Sequence, residues 1–166
     1  MLTIKQLSIN MTKIIKATKQ DVEQICELFN EYDNDINKYF PRKHLSLLQG
    51  LNKQHGNNPK RRKGIEEAIN DKNQLFLVVK DAEKVMGCVI GWTEMPNRIG
   101  RFDQLISSAQ SGKKIVLKQL YGEVEKWFKM KKCKYIVVDV VTKNPRKKLY
   151  KEFGFDVVLE EMRKII

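Results

Sequence analysis

The sequence predicts one α/β (α+β) domain, built as a mixed, mostly antiparallel sheet with helices on both faces. Three observations lead to this fold class. The chain has 166 residues, of which 42% are hydrophobic, which is enough for a single core. Short stretches rich in β-branched residues alternate with stretches whose apolar residues recur every three or four positions. One stretch in the last third is apolar almost throughout, as expected of a strand covered on both faces.

A strand and a helix open the predicted domain. The strand covers residues 12–17, and Thr18 is placed to cap the helix that follows. From residue 33 to residue 72 the composition is polar, and we expect two short helices there, at residues 43–51 and from Pro59 onward. The apolar face of the first helix is made by Val22, Ile25, Cys26, Leu28 and Phe29.

A hairpin, a further strand and a long helix form the middle of the chain. Strands at residues 74–79 and 84–93 flank the polar turn at residues 81–83, and a third strand is expected at residues 101–107. The helix at residues 115–130 has the clearest helical period in the sequence. Its apolar face is made by Val116, Leu117, Leu120, Tyr121, Val124, Trp127 and Phe128.

The last part of the chain predicts two more strands around a short helix. Residues 135–141 form the nearly continuous apolar strand, a helix begins at Pro145, and residues 155–159 form the final strand. This order of elements gives the mixed sheet with helices on both faces.

We predict one domain at residues 12–166, preceded by an extension at residues 1–11. No internal repeat or low-complexity linker divides the chain. The first ten residues lack the unbroken apolar segment of a signal peptide, and Met11 is an alternative start. The longest uncharged apolar stretch, near residues 85–92, is far shorter than the roughly 20 residues that span a bilayer, so we expect no membrane partner.

Basic residues outnumber acidic ones. The sequence has 32 Lys and Arg against 20 Asp and Glu, a formal net charge of +12. Such a charge attracts anionic partners, although a lysine-rich solvated surface is the commoner explanation. The run Pro-Lys-Arg-Arg-Lys at residues 59–63 resembles a nucleic-acid or localisation patch, but most such runs are solvated helix starts. We therefore keep nucleic acid as a candidate partner without favouring it.

Cysteine and histidine usage argues against several kinds of site. Cys26, Cys88 and Cys133 are far apart, with no C-x-x-C pair and no clustered histidine. The sequence therefore predicts neither a metal site nor a disulfide framework, and it is typical of a reducing, cytoplasmic environment. His44 and His55 are the only histidines and lie in a polar stretch, which gives poor support to catalysis by a Ser-His or Cys-His pair.

The segment VDVVTKNP at residues 138–145, followed by Leu149-Tyr150-x-x-x-Gly154-Phe155, resembles the closing motif of the GNAT superfamily of N-acetyltransferases. The order of the preceding elements matches that family too, so the resemblance covers residues 12–166. It implies acetyl-CoA as co-substrate and no metal. In that family the fourth strand and the strand after the long helix splay apart, and the pantetheine arm lies in the gap.

The resemblance also implies a place for the pyrophosphate of acetyl-CoA, on backbone N–H groups at the start of the long helix. The family pattern there is Arg/Gln-x-x-Gly-x-Gly/Ala. Lys114 and Val116 stand at the two glycine positions, where a side chain would crowd the phosphates. Lys113 and Lys114 would supply point charges in compensation. The matching residues are Ser111, Gly112, Lys113, Lys114, Ile115 and Val116.

Acetyl transfer to an amine needs a base, an oxyanion donor and an acid. The first candidate for the base is Glu94 and the second is Asp103, although either fits a solvated strand-end carboxylate. A backbone N–H near Ile106 or Ser107 is the expected oxyanion donor. Tyr150 matches the family tyrosine that protonates the thiolate, and its alternative role is packing.

Asn144 matches the family asparagine that contacts the cofactor, and its alternative role is to cap the helix that follows. The interval from Asn144 to Tyr150 is one residue shorter than usual in the family. We expect Arg146, Lys147 and Lys148 near the cofactor cleft, where they would hold the 3′-phosphate or an acidic acceptor.

Two functional hypotheses follow. The first is an N-acetyltransferase that transfers an acetyl group from acetyl-CoA to a primary amine of a small molecule or protein. The second is a catalytically degenerate GNAT fold that binds an anionic partner such as nucleic acid, and the replacement of both loop glycines supports it. Dimers are common in the family, so a homodimer is an expectation that the resemblance adds.

Overall fold

The computed structural model describes residues 12–39, 59–108, 113–141 and 143–158. Within these ranges the chain forms five strands and four α-helices. The strands are β1 (Lys13–Lys16), β2 (Gln74–Asp81), β3 (Lys84–Glu94), β4 (Ile99–Ser107) and β5 (Tyr135–Val137). The α-helices are α1 (Val22–Ile36), α2 (Pro59–Asn70), α3 (Lys113–Met130) and α4 (Arg146–Glu152), and short 3-10 turns occupy Lys19–Asp21 and Asn37–Tyr39.

The strands form one mixed sheet in the order β1-β2-β3-β4-β5. The first four pair antiparallel with their neighbours, and β5 pairs parallel with β4. The predicted mixed, mostly antiparallel sheet is therefore confirmed. The hairpin between β2 and β3 turns through two residues, Ala82 and Glu83, since Asp81 already pairs with Lys84.

Helices cover both faces of the sheet, as predicted. On one face α1 and α2 pack against β2, β3 and β4 in a cluster that includes Ile25, Leu28 and Ile65. On the other face α3 and α4 pack against the same strands, with Leu120, Val124 and Phe128 at the centre. None of the helices within the described ranges is long and apolar enough to cross a lipid bilayer.

The strand that is covered on both faces is β2. Residues 75–79 are all buried, and they alternate between the two clusters. The sequence predicted such burial for residues 135–141, and that prediction is wrong. Only Tyr135–Val137 form a strand, at the edge of the described sheet, where Tyr135 is 67% exposed. An apolar run does not reveal its place in the sheet, because the place depends on which strand pairs with which.

The predicted final strand and the predicted helix at residues 43–51 have different outcomes. Residues 155–158 carry no strand, so a final strand beginning at Phe155 is wrong over these residues, and Leu159 lies outside the described ranges. Val158 is 85% exposed, as fits a segment without strand pairing. The helix predicted at residues 43–51 also lies outside the described ranges. The other predicted elements are present, with boundaries that differ by a few residues.

Candidate active site

A gap opens between β4 and β5. Their parallel pairing covers three residues, from Ile99 opposite Tyr135 to Arg101 opposite Val137. Beyond it, residues 102–107 of β4 have no strand partner on that edge among the described residues. The backbone groups of an unpaired strand edge are free to bond an extended ligand. The splay that the family resemblance implied between these two strands is therefore present.

A β-bulge distorts β4 beside the gap. Cys88 pairs with Ile106, and Ile90 pairs with Asp103, so two residues of β4 lie opposite the single Val89. These two residues are Gln104 and Leu105, and Gln104 has a φ of 52°. A bulge of this kind changes the direction in which the following backbone groups point.

The direction of the backbone groups after the bulge follows from two hydrogen bonds. The Ser108 N–H donates to the Met86 carbonyl of β3 over 2.8 Å. Because backbone groups alternate along a strand, those of Ile106 also face β3, whereas those of Ser107 and Leu105 face the gap. The Leu105 carbonyl accepts a hydrogen bond from outside the sheet, which agrees with this alternation. The geometry therefore favours Ser107 over Ile106 as an oxyanion donor.

The group that bonds Leu105 is Arg146, the first residue of α4. Its guanidinium donates to the Leu105 carbonyl, and its central carbon lies 4.6 Å from the ring centroid of Tyr32 on α1. Its charge also acts on Tyr150, one turn later on α4. Tyr32 packs with the helix cluster on one face of the sheet, and Tyr150 with the cluster on the other. Arg146 therefore spans the gap from one face to the other.

Both tyrosines are held in the protonated form near neutral pH. Burial raises the pKa of Tyr32 to about 12, although the nearby Arg146 charge opposes the rise. Burial also raises the pKa of Tyr150, against the charge of Arg146. Tyr150 is 7% exposed and packs against Phe102, with ring centroids 5.9 Å apart. Each phenol can therefore act as a proton donor.

Asp103 lies close to this group. It is solvent-exposed on β4, yet protein atoms crowd its carboxylate, and the resulting desolvation raises its pKa. The negative charges of Asp139 and Asp33 raise the pKa further, while hydrogen bonds from Gln104 oppose the rise. The Gln104 N–H donates to the Asp103 Oδ1 over 2.7 Å. A carboxylate with a raised pKa is a better proton acceptor near neutral pH than an ordinary one.

Glu94 lies elsewhere. Its carboxylate pairs with the Arg101 guanidinium, with 2.5 Å between Oε1 and Nε. Asp103 is opposite Ile90, and Glu94 follows Ile90 by four residues, a distance of about 13 Å along a strand. The charge of Asp103 acts on Tyr32 and Tyr150, and Glu94 is not among the groups that act on either phenol. Asp103 is therefore the candidate base that lies nearer the two tyrosines.

Asn144 caps α4. It is 5% exposed, and its side-chain oxygen accepts a hydrogen bond from the Arg146 N–H over 2.9 Å. The capping role that the sequence left open is thus present in the structure, and it fixes the residue that carries the guanidinium. Lys147 follows on α4 and is half-buried. A contact of either residue with a cofactor remains a prediction.

The Val116 side chain at the start of α3 does not take the position expected from the family pattern, where it would crowd the phosphates. Val116 is 5% exposed and points toward the sheet, where its Cγ1 would lie 2.7 Å from a Cβ added at Gly87. Its side chain therefore packs in the core and does not stand over the end of the helix. Ile115, the preceding residue, is 66% exposed. The helical period decides this, because Val116 shares a face with Leu120 and Val124.

The lysine that stands at the first glycine position is engaged in an ion pair. The Lys114 Nζ lies 2.7 Å from the Glu152 Oε2, so the first turn of α3 is tied to the end of α4. Lys113 begins α3. Ser111 and Gly112 lie outside the described ranges, and their predicted role in cofactor binding stays a prediction.

No family model matches the sequence, and no curated protein matches it either. Solved structures do match. The PaiA N-acetyltransferase from Thermoplasma acidophilum, in complex with coenzyme A, has a TM-score of 0.73 at 16% identity, over 90% of this chain and 92% of that chain. A GCN5-related N-acetyltransferase from Ralstonia eutropha has a TM-score of 0.70 at 13% identity, over 93% of this chain and 98% of that chain.

A third similar structure is an aminoglycoside N-acetyltransferase in complex with CoA, with a TM-score of 0.68 at 14% identity, over 93% of this chain and 94% of that chain. The chain has the GNAT fold. At these identities the likeness establishes the GNAT architecture alone, and the activity has to be argued from the residues at the gap.

The basic run at the start of α2 serves to pack this GNAT fold. Arg61 pairs with Asp33 of α1 and lies over the ring of Phe29, with 5.5 Å from its guanidinium carbon to the centroid. Arg62 pairs with Glu23 of α1 and also lies 3.3 Å from the Glu66 carboxylate. Because both arginines join the two helices, the run is a helix start with intramolecular ion pairs. It therefore gives no particular support to a nucleic-acid surface.

Two residues near the gap between β4 and β5, Tyr32 and Gln104, could not be identified from the sequence. Tyr32 lies in an amphipathic helix where nothing in the sequence links it to the C-terminal motif. Gln104 is unremarkable in sequence, and only the bulge gives it a role. Arg146 was expected near the cleft to hold the 3′-phosphate or an acidic acceptor, whereas in the structure it contacts Leu105 and Tyr32 and its charge acts on Tyr150. No group of residues suited to a metal ion occurs in the described part of the chain.

Proposed function

We propose that the protein is an N-acetyltransferase that moves an acetyl group from acetyl-CoA to a primary amine of a small molecule or protein. The observation that carries the proposal is the unpaired edge of β4 next to a bulge, with Tyr150 on one side and Asp103 on the other. Two structures with the same fold are complexes with coenzyme A, which agrees with a thioester as donor.

The extended arm of acetyl-CoA would lie along residues 102–107 of β4. The Leu105 carbonyl faces the gap and can accept a second hydrogen bond beside the one from Arg146, so an amide N–H of the chain would find an acceptor there. The pyrophosphate would then lie at the start of α3, which begins with Lys113 and Lys114.

The Ser107 hydroxyl gives independent support for a ligand at this end of β4. Ser107 is 7% exposed, and its hydroxyl has no hydrogen-bond partner among the described residues. A buried hydroxyl without a partner costs about 1–3 kcal/mol. Ser107 pairs with Gly87, against which Val116 packs, so it lies next to the first turn of α3. A ligand with polar groups between β4 and α3 would satisfy it.

The residues at the gap would supply the base, the oxyanion donor and the acid of the reaction. Asp103 accepts the proton of the acceptor ammonium, directly or through water, and the neutral nitrogen attacks the thioester carbon. The Ser107 N–H donates to the oxygen as it becomes an oxyanion. The carbon–sulfur bond then breaks, the Tyr150 hydroxyl gives its proton to the leaving thiolate, and the nitrogen releases its second proton to solvent. The products are an amide and free CoA.

Calorimetry and a thiol-release assay test the proposal. We expect acetyl-CoA to bind at low salt and CoA thiol to be released with at least one member of an amine panel of polyamines, amino acids and lysine peptides. Tyr150→Phe and Asp103→Asn should each lower turnover by about 10²-fold or more, since a general acid or base contributes at least that much. Lys151→Gln, an exposed change on α4, serves as the control. No acetyl-CoA binding by the native protein would contradict the proposal.

A further inference from the structure

Arg146 is held in place by contacts with two other elements, and it lies one helical turn before Tyr150. Its guanidinium donates to the Leu105 carbonyl of β4 and lies over the Tyr32 ring of α1, and its charge acts on Tyr150 of α4. The Asn144 side chain caps the turn from which it projects. A side chain fixed in this way loses little further freedom when a ligand binds.

The place of Arg146 relative to Tyr150 matters for proton transfer. The two residues are four positions apart on α4, so their side chains are neighbours on one face of the helix. A guanidinium has only donors, so toward Arg146 the phenol oxygen can only accept. The proton of Tyr150 therefore points away from Arg146 and is available to another acceptor. The same guanidinium bonds the Leu105 carbonyl, whose strand edge faces the gap. Arg146 thus orients the hydroxyl at the place where the thioester would lie.

The charge of Arg146 also favours proton release from Tyr150. Burial raises the pKa of Tyr150, which by itself would make the phenol a weaker acid, and Arg146 opposes that rise. Among the described residues, Asp103 is the acidic group that also acts on Tyr150, and its charge disfavours ionisation of the phenol. The positive charge of Arg146 therefore favours the release of this proton, although burial keeps the pKa of Tyr150 raised.

We propose that Arg146 is a positioning residue for acetyl transfer, which directs the Tyr150 hydroxyl into the β4–β5 gap and stabilises the negative charge that Tyr150 acquires as it protonates the leaving thiolate. In this step the oxygen–hydrogen bond of Tyr150 breaks and a sulfur–hydrogen bond forms. Tyr150 keeps the electron pair as a tyrosinate, and a proton from solvent restores it. The inference rests on the proposed function.

A double-mutant cycle of Arg146→Lys and Tyr150→Phe tests the coupling. We expect Arg146→Lys to lower kcat by about tenfold to a hundredfold, as for loss of a charged hydrogen bond, with the KM for acetyl-CoA changed less than about threefold. In the Tyr150→Phe background the same change should have almost no effect, because the group through which Arg146 acts is gone. Arg146→Gln, which also removes the charge, should lower kcat further.

A second measurement separates proton donation from a purely structural role. With an acetyl thioester whose thiol is more acidic than CoA, the leaving group needs less protonation, so the loss caused by Arg146→Lys should become smaller. Lys151→Gln on the same helix removes a charge from an exposed position and is the matched control. Thermal unfolding of each variant verifies that it is folded.

The outcomes for the inference and for the proposed function are distinct. If the native protein turns over and Tyr150→Phe is impaired, but Arg146→Lys lowers kcat equally in both backgrounds, the inference is overturned and the proposed function stands. An equal loss with both thioesters would also overturn it. If the native protein neither binds acetyl-CoA nor releases thiol, the proposed function itself fails.

Discussion

Asp21 connects the start of α1 to the sheet, and its replacement by alanine should destabilise the fold strongly. The side chain is 1% exposed, and its Oδ1 lies 2.6 Å from the Lys80 Nζ of β2. Its Oδ2 accepts hydrogen bonds from the Thr18 N–H over 2.8 Å and from the Thr18 hydroxyl over 3.0 Å. Asp21→Ala removes all three contacts at once.

The loss of stability in Asp21→Ala depends on the Lys80 ammonium, which is left without its partner. Removing one partner of a buried ion pair costs about 3–5 kcal/mol, because the other charge stays without a partner. The Lys80 side chain is 15% exposed, so its ammonium can partly reach water, and we expect the lower end of that range. About 3 kcal/mol in a chain of this length lowers the Tm by on the order of 10 °C.

The pH dependence has a defined sign. Burial pulls the pKa of Asp21 upward, but Lys80 and the Thr18 donors outweigh it and leave the pKa below its ordinary value of 3.8. A carboxyl with a lowered pKa stabilises the folded state above the pKa of the unfolded chain, and this stabilisation is lost as the pH falls through the folded-state value. The difference between native protein and Asp21→Ala should therefore shrink on acidification below about pH 4.

Urea unfolding followed by circular dichroism at pH 7 and at acidic pH measures both effects. Asp35→Ala is the matched control, since Asp35 pairs with Lys38 at 3.3 Å on the surface, where the side chains are 49% and 69% exposed. An exposed pair of this kind contributes about 0–1 kcal/mol. A loss for Asp21→Ala no larger than that of Asp35→Ala, or a loss that stays constant with pH, would refute the reasoning.

Two further predictions concern packing and ionisation. Gly100→Ala should destabilise the fold by about 1–3 kcal/mol in urea unfolding, since the added Cβ would lie 2.6 Å from the Phe128 ring. Gly122→Ala in α3 meets no atom within 4 Å and should stabilise the fold by about 0.5–1 kcal/mol. Equal effects of the two substitutions on the free energy of unfolding would contradict this reasoning. Because the pKa of Asp103 is raised, its contribution to stability is present below pH 3.8 and lost as the pH rises through its folded-state pKa, so Asp103→Asn should be more stable than the native protein at pH 7 and equal at pH 3. A variant that is no more stable at pH 7 would refute it.

Local patterns were sufficient for most of the elements. The helical period of α3 was clear because Leu120, Val124 and Phe128 recur on one face. The hairpin was predictable because two β-rich stretches flank a short polar turn. Thr18 and Pro145 mark helix starts through their own chemistry, so they could be recognised without knowledge of the rest of the chain.

The candidate site was predictable only in part. The sequence alone, through a local closing motif, indicated the GNAT fold and singled out Tyr150 and Asn144, and it offered Glu94 first and Asp103 second as the base. Whether Glu94 or Asp103 joins Tyr150 was open, because it depends on the register between β3 and β4. The burial of residues 135–141 was misjudged, because a strand cannot show in its own sequence where its pairing stops.

The amino-acid sequence by itself determined the elements and the fold class, because hydrophobic period, turn residues and caps act over a few neighbouring positions. Only the tertiary structure decided how Tyr32, Leu105, Arg146 and Tyr150 come together. These residues belong to α1, β4 and α4, and their contact depends on the bulge at Gln104 and on the point where β4 and β5 separate. Such features arise from pairing between distant segments, so no local pattern encodes them.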